Sequence, residues 1–501
     1  VIGGNPYPFG FLGLHRKIVD GQIKTNRPMR KEYKVKRQIR ESKYVLSHIP
    51  VKGPDEFLID ELHRFTNQQP VRDDHMKKAL HAVEEYLNDK VGNRTRQLSY
   101  RSVLELKEKK SSPGEPWAAY YTTFGLLIKG VAKSESERLG RSVSDDEALD
   151  YMAEFVGQVD GAIRRGDLTQ EDIQFTFYVH SKEDKYSPKK ILISGFRSIQ
   201  ACDWVFQAIC GRYGLDWTIE FKEIVPEVAV KASRDRWHDQ VGQPLSDKFT
   251  YASDFTGFDR NISSYGAYRF VKYLCSVTNM PVAVGKLVYE VIARGFVVLP
   301  DGRVISRVGG NPSGQPFTAE FNNFMNLWMS LDVYSYTLSI EPSKEFFEKY
   351  VLRLCGDDIV FGGDYDTVKK ISEGCESVYL ERWHQPTKHE IWLDNGKESR
   401  VWPPGVHAPF LDCTSIPIFG RWIDVPIRPL RRITAIFFEP ESGVTEREIL
   451  SGVFESVLGW YIARENGQQY PSCLDQLFEL CESAGCTRPL SHIEDSYGLE
   501  M

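Results

Sequence analysis

Apolar residues change their period several times along this chain, and the changes outline its elements. Between Val35 and Tyr100 they recur at helical spacing among many charges. The stretch KEKKSSPGEPW (107–117) then breaks the pattern with Pro113, Gly114 and Pro116 and predicts a loop. A second, basic loop is expected over SKEDKYSPKKILISGFR (181–197), running into a helix over SIQACDWVFQAICGR. From Lys248, KFTYASDFTGFD has the texture of a strand that emerges into a turn, and RNISSYGAYRFVKYLCSV returns to helical spacing. A glycine-rich loop, VISRVGGNPSGQPF, opens a strong helix over 318–336. Then VLRLCGDDIVFG (351–362) sets two short apolar runs around a glycine and two aspartates, which predicts a hairpin. A helix near 367–383 follows, then short strands broken by prolines from about Pro404, then helices near 445–485. Strand, helix, helix, antiparallel hairpin and helix in that order predict an α+β fold, with helices packed on one face of a sheet.

Composition narrows the class without changing this outline. The chain has 501 residues, enough for about three domain-sized units, and its 41% hydrophobic and 26% charged content excludes a collagen-like or wholly disordered polymer. No apolar run is long enough to span a bilayer, so a soluble protein is expected. The opening VIGGNPYPFG has neither a basic start nor an apolar core, so nothing marks secretion. Nine cysteines, all from Cys202 onward and without a CxxC pair, argue against a zinc site or disulfide framework and for reduced thiols in a cytosol-like compartment. The sequons at Asn93 and Asn261 would then be idle.

Charge is distributed unevenly. Residues 1–50 carry eleven Lys/Arg against three Asp/Glu, a local balance of +8, so the remainder carries −14 within a total of −6. That asymmetry suits a basic rim around an acidic centre, and it suits a solvated charged surface equally well.

Asp357 and Asp358 are candidates for chemistry, although taken alone the Gly-Asp-Asp triplet reads as surface carboxylates at a turn. A turn accounts for Gly356, but not for two adjacent carboxylates that repel each other. Phosphoryl transfer from a nucleoside triphosphate calls for oxygen ligands around two Mg²⁺ ions roughly 3.5–4 Å apart, and two or three protein carboxylates are enough because Mg²⁺ shares its coordination with water and substrate phosphates. Asp254, at the end of the strand in DFTGFD, could join the pair if the two strands are neighbours. A dication would relieve the repulsion.

DFTGFD, SGQPFTAEFNN and CGDD, in that order, resemble motifs A, B and C of the viral RNA-dependent RNA polymerases of the picornavirus-like supergroup. Ser313, Gly314, Thr318 and Asn322 reproduce the SGxxxTxxxN spacing of motif B. SSPGEPW is similar to motif G, KKILISGFR to motif F, PTKHE with Lys388 to the end of motif D, and PFLD (409–412) to the start of motif E. The compact length and the PGxPW form lean toward the double-stranded RNA picobirnavirus and partitivirus relatives.

The resemblance implies a right-hand polymerase. Fingers would come from 1–245, palm from 246–292 with motif A, a return to the fingers over 293–312, palm again over 313–419 with motifs B to E, and thumb over 420–501. In the family the N-terminal segment links the fingers to the thumb. Asp254 and Asp357 would be the main ligands of Mg²⁺ or Mn²⁺, with Asp358 assisting. Asp259 would accept from Asn322 and from the ribose 2′-hydroxyl, with Thr318 orienting the pair and Asn323 replacing Asn322 if the register slips; Asp259 could also be an ordinary helix N-terminal acid. Ser313 and Gly314 would bend near template and nucleotide, or simply lead into the helix. Lys189, Lys190 and Arg197, with Lys182 and Lys185 behind them, would bind the triphosphate, or any one of them would be a solvated loop charge. Lys388 would protonate the leaving pyrophosphate or else be a structural lysine. Ser112, Pro113 and Gly114 would touch the template, and Trp117 would stack on a base or, as is commoner for a lone aromatic, pack in the core.

The implied activity is RNA-templated RNA synthesis for viral genome replication and transcription. Partners would be template and nascent RNA, nucleoside triphosphates and a viral capsid protein, in the host cytoplasm or the virion interior. A reverse transcriptase shares the palm and its aspartates but normally carries a bulky gate near motif A and lacks the SGxxxTxxxN helix. A non-catalytic viral RNA-binding protein would instead rely on the basic N-terminus.

Overall fold

The computed structural model describes residues 45–46, 67–92, 96–114, 117–181, 185–186, 198–228, 234–299, 303–394, 397–429 and 446–486. They fall into two units. One holds residues 84–225 and 257–325 with the N-terminal segment to Pro70, and the other holds 71–83, 226–256 and 326–501. The basic N-terminal stretch lies outside the described residues except for Val45–Leu46.

In the first unit Asp203 divides what the sequence pattern ran together. Its carboxylate accepts from the Val205 amide at 2.6 Å and caps a helix over Trp204–Ile224. Ser198–Cys202, expected as the start of that helix, is a strand paired antiparallel with Thr176–Ser181. The pairing partner is local in space but not in sequence, which is why periodicity alone assigned the segment wrongly. Phe296–Val298, parallel to Thr176–Ser181, and Val304–Ser306 complete a four-stranded sheet. Helices Phe124–Leu139 and Asp145–Arg165 begin at Thr123 and Ser144 caps and end at Gly140 and Gly166 in the left-handed conformation. Trp204 packs against Phe124 and Phe155 of these helices, while Trp217 stacks on Phe221 and meets Phe270 and Tyr273 of helix Ser264–Thr278.

The second unit is built on an antiparallel sheet in the order Thr387–His389, Phe249–Phe255, Asp358–Gly363, Val351–Cys355. Tyr251 and Phe361 are cross-strand partners on one face. Helix Tyr365–Trp383 and the latter part of helix Thr318–Leu338 cover that face: Tyr334 meets Phe361 edge-on at 5.2 Å, and Tyr379 meets Phe255 at 5.1 Å. The expected helical layer on one face is therefore present. The opposite face is also buried, because Ala252 and Val360 pack with Trp237, Val241, Leu245, Trp402 and Phe410.

The two helices are pinned together by a buried carboxylate. Asp332 accepts from Arg382 Nε and Nη2 at 2.9 and 2.8 Å, from Trp383 Nε1 at 2.8 Å, and lies 2.9 Å from His75 Nδ1. Arg382 also forks onto Asp73. Further on, strands Cys413–Ile418 and Arg421–Pro426 form a hairpin, and helices Glu446–Ser456, Leu458–Glu465 and Asp475–Ser483 pack around Phe454, Ile462 and Phe478, as the pattern after Pro404 predicted. All nine cysteines are free thiols. Among the described residues no helix is long and apolar enough to cross a membrane.

Candidate active site

The acidic hairpin is a two-residue turn. Gly356 takes φ 67° while Asp357 stays out of the left-handed region, so glycine occupies the first central position of a II′ turn and Cys355 pairs with Asp358. The neighbouring strand runs Ala252 against Val360 and Ser253 against Ile359. Continuing that register, Asp254 falls beside Asp358, on the same face as Ala252 and Val360. Lys388, on the next strand, is the direct partner of Asp254. One row across the sheet thus reads Lys388, Asp254, Asp358, Cys355, and Asp357 sits at the tip of the turn. Asp254 and Lys388 are exposed, whereas Ser253 and Phe255 on either side of Asp254 are buried. Burial, and then the charges of Asp358 and Asp357, push the Cys355 thiol up to about 12.

Asn326 steadies this turn from the helix. Its Nδ2 donates to the Gly356 carbonyl at 2.8 Å, and its Oδ1 accepts from Ser330 Oγ at 3.0 Å. Sequence reasoning noted asparagines on this helix but gave Asn326 no role.

Carboxylate oxygens are the donors that a hard dication selects. Among the described residues, no group of three or more His, Cys, Asp or Glu side chains stands close enough to hold an ion by itself. The three acids lie at neighbouring strand ends and do not by themselves form a metal site, so a divalent ion held there would have to draw further ligands from water or substrate.

In the first unit, Asn322 Nδ2 donates to Asp259 Oδ1 at 2.5 Å, so Asn322 and not Asn323 is the partner. Thr318 does not touch that pair through its hydroxyl, which donates within the preceding loop to the Pro312 or Gln315 carbonyl, each at 2.9 Å. Asn311, which the sequence reading passed over, bonds to Asn322 Oδ1 at 2.7 Å and to the Thr318 carbonyl at 2.9 Å.

Two predicted loops meet one strand. Ser313 Oγ accepts from the Gln200 amide at 3.2 Å, and Gly314 bridges to Ala201 so closely that a Cβ would lie 2.2 Å from the Gln200 carbonyl oxygen. Gly114, at φ 76°, approaches the same strand from the other loop; a Cβ there would lie 2.0 Å from the Cys202 oxygen. The Pro113 carbonyl accepts from the Trp204 amide at 2.9 Å, and the Ser112 hydroxyl accepts from the Gly114 amide at 3.2 Å. Trp117 is 3% exposed, donates to Asp203 and packs edge-on to Trp204, so it is a core residue. Lys182, Lys189, Lys190 and Arg197 lie outside the described residues, while Lys185 falls in a two-residue strand with Tyr186.

The second unit thus carries Asp254 and the Asp357–Asp358 turn on paired strands, and the first unit carries the Asp259–Asn322 pair. A family model described as viral RNA-dependent RNA polymerase matches residues 167–452, more than half of the chain. The chain belongs to that family. It is 27% identical over 198 residues, 37% of its length, to the genome polyprotein of Blackberry virus Y, and 29% identical over 102 residues, 20% of its length, to the non-structural polyprotein 1AB of Human astrovirus-5. In each case the match spans 6% of the relative's own length. Neither relative is a picobirnavirus or partitivirus, so the narrower resemblance gains no support from them.

Proposed function

We propose that this chain copies an RNA template into RNA, adding ribonucleotides to a 3′-hydroxyl by a two-metal mechanism. The observation that carries this reading is the row of Lys388, Asp254 and Asp358 across one sheet, beside the turn that bears Asp357. Asp254, Asp357 and Asp358 would hold the ions. When bound, Mg²⁺ or Mn²⁺ would lower the pKa of the attacking hydroxyl and neutralise charge on the phosphates.

The attacking 3′-oxygen forms a bond to the α-phosphorus as the bond to the bridging oxygen of pyrophosphate breaks, and the hydroxyl proton departs to solvent. Lys388, exposed in the same row, would give a proton to the leaving pyrophosphate. Asp259, oriented by Asn322, would accept the ribose 2′-hydroxyl. Ser313, Gly314 and the loop Ser112–Gly114, held on one strand, would guide template and nucleotide, and Lys189, Lys190 and Arg197 would meet the triphosphate. In this reading the fingers, palm and thumb follow the boundaries drawn from the motifs. Host cytoplasm would be the working compartment, and template RNA, nascent RNA and a capsid protein the macromolecular partners.

The test is extension of an RNA template by the purified chain, with and without primer, with ribo- and deoxynucleotides, and with Asp357→Ala as control. Mg²⁺- or Mn²⁺-dependent ribonucleotide incorporation that the substitution abolishes supports the proposal. Preference for deoxynucleotides would indicate a reverse transcriptase. RNA binding that survives Asp357→Ala without any synthesis would indicate a non-catalytic binding protein.

A further inference from the structure

We infer that Asn311, backed by Gln315, is a specificity-positioning residue that fixes the orientation of the Asn322 amide and thereby sets the preference for ribonucleotides. The inference rests on the polymerase reading above and deepens it.

The argument is one of hydrogen-bond direction. An asparagine or glutamine amide can be turned over, exchanging donor for acceptor, and its direction is decided by its partners. Here both ends of a chain of amides are fixed by groups that cannot exchange roles. The Phe317 backbone N–H can only donate, and it donates to Gln315 Oε1 at 2.8 Å. Gln315 Nε2 must then be the donor to Asn311 Oδ1, at 2.9 Å. That leaves Asn311 Nδ2 to donate to two acceptors, the Thr318 carbonyl at 2.9 Å and Asn322 Oδ1 at 2.7 Å. Because Asn322 Oδ1 is engaged as an acceptor, its Nδ2 faces Asp259 Oδ1, at 2.5 Å.

Asn311 holds the other member of the pair as well. Its backbone N–H donates to the Asp259 carbonyl at 2.6 Å, and the preceding Gly310 N–H donates to the Ile262 carbonyl at 2.6 Å. One residue therefore anchors the backbone of Asp259 and the side chain of Asn322. Asn311 is fully buried, and Gln315 and Asn322 are 4% and 7% exposed, so water does not readily substitute for a lost partner. A site built to bond a substrate hydroxyl rejects the analogue that lacks it, provided its own polar groups stay aimed at that hydroxyl.

Asn311→Asp is the sharpest test. A carboxylate in that place can only accept, so it would turn the Asn322 amide over and set the Asn322 oxygen against Asp259. Gln315→Glu is the second variant: it still accepts from Phe317 N–H but cannot donate to Asn311, and it serves if the first does not fold, as judged by its melting profile. The measurement is kcat/KM for single-nucleotide addition of CTP and of 2′-deoxy-CTP on an RNA template. The expected result is a fall of about tenfold or more for CTP with little change for 2′-deoxy-CTP, so that discrimination collapses. Equal losses on both sugars, or no loss in either variant, would overturn the inference while leaving the polymerase reading intact. A wild-type chain that makes no RNA on an RNA template would overturn the polymerase reading itself, and this inference with it.

Discussion

Lys388 stands directly across from Asp254 on neighbouring antiparallel strands. Directly opposed residues share a face, with Cβ atoms about 4.5–5.5 Å apart, so the flexible Lys388 side chain starts from the same face as the carboxylate proposed to bind metal. Lys388→Met is expected to slow single-nucleotide addition by about 10²-fold, with nucleotide KM changed far less, because a proton donor acts in the transition state. Rapid-quench kinetics make the comparison. A kcat equal to that of wild type would leave Lys388 a structural strand residue.

Asp254→Asn and Asp357→Asn should each lower RNA synthesis by about 10³-fold or more, corresponding to several kcal/mol of lost electrostatic stabilisation. Metal binding supplies an independent readout. Mg²⁺ should raise the melting temperature of the wild-type chain relative to the same protein in EDTA, and the shift should shrink in both variants. In EDTA the variants should melt no lower than wild type, since each removes a like charge from the strand ends. Full activity in either variant would remove that acid from the site.

Gly314→Ala would force a Cβ to within 2.2 Å of the Gln200 carbonyl oxygen, and Gly114→Ala to within 2.0 Å of that of Cys202. Neither backbone atom can swing aside, so each substitution should cost about 1–3 kcal/mol and lower the melting temperature by several degrees. Gly140→Ala is the contrast: φ is 67° but nothing lies within 4 Å, leaving only the left-handed backbone cost of about 1–2 kcal/mol. If Gly314→Ala melts no lower than Gly140→Ala, the close approach of loop and strand is not what holds the loop.

His407 gives the fold a pH dependence. It is buried, with Nδ1 2.7 Å from the Ala408 carbonyl and Nε2 2.7 Å from Ser415 Oγ, and Ser415 Oγ accepts from Trp237 Nε1 at 2.7 Å. The Ser415 hydroxyl proton therefore points to Nε2, and the ring is neutral with its hydrogen on Nδ1. Burial holds its pKa down to about 4 against an ordinary 6.5. Below pH 6.5 the unfolded chain takes up a proton that the folded chain refuses, so stability falls between pH 6.5 and about 4, by about 3 kcal/mol in all. His407→Leu should be less stable at pH 7 because it strands the Ser415 hydroxyl, yet lose less on acidification. Melting profiles from pH 7 to 4 test this; parallel pH profiles would assign the acid sensitivity elsewhere.

Much of the site was legible because its signals are local. The Gly356–Asp357 turn needs a glycine at one central position, and the run of apolar residues from Phe321 onward marks its helix by period alone. The motif spacing named Asn322 as the partner of Asp259 with Asn323 as the alternative, and the hydrogen bond falls to Asn322. Ser198–Cys202 was misread because five residues fit either period, and the Asp203 cap that separates strand from helix was overlooked. Asn311 was missed because an asparagine in a glycine-rich loop looks like turn chemistry, and its direction is set by partners four, seven and eleven residues away.

By itself the sequence determined which residues could carry charge, turn sharply or face a core, and in what order, because those properties belong to side chains and their spacing. Tertiary structure alone decided that Asp358 would stand beside Asp254, that one strand would receive both the Gly114 and Gly314 loops, and that a relay of amides would aim Asn322. Strand register and hydrogen-bond direction are relations between distant segments, and they are fixed only when the sheet is paired and its polar groups are buried together.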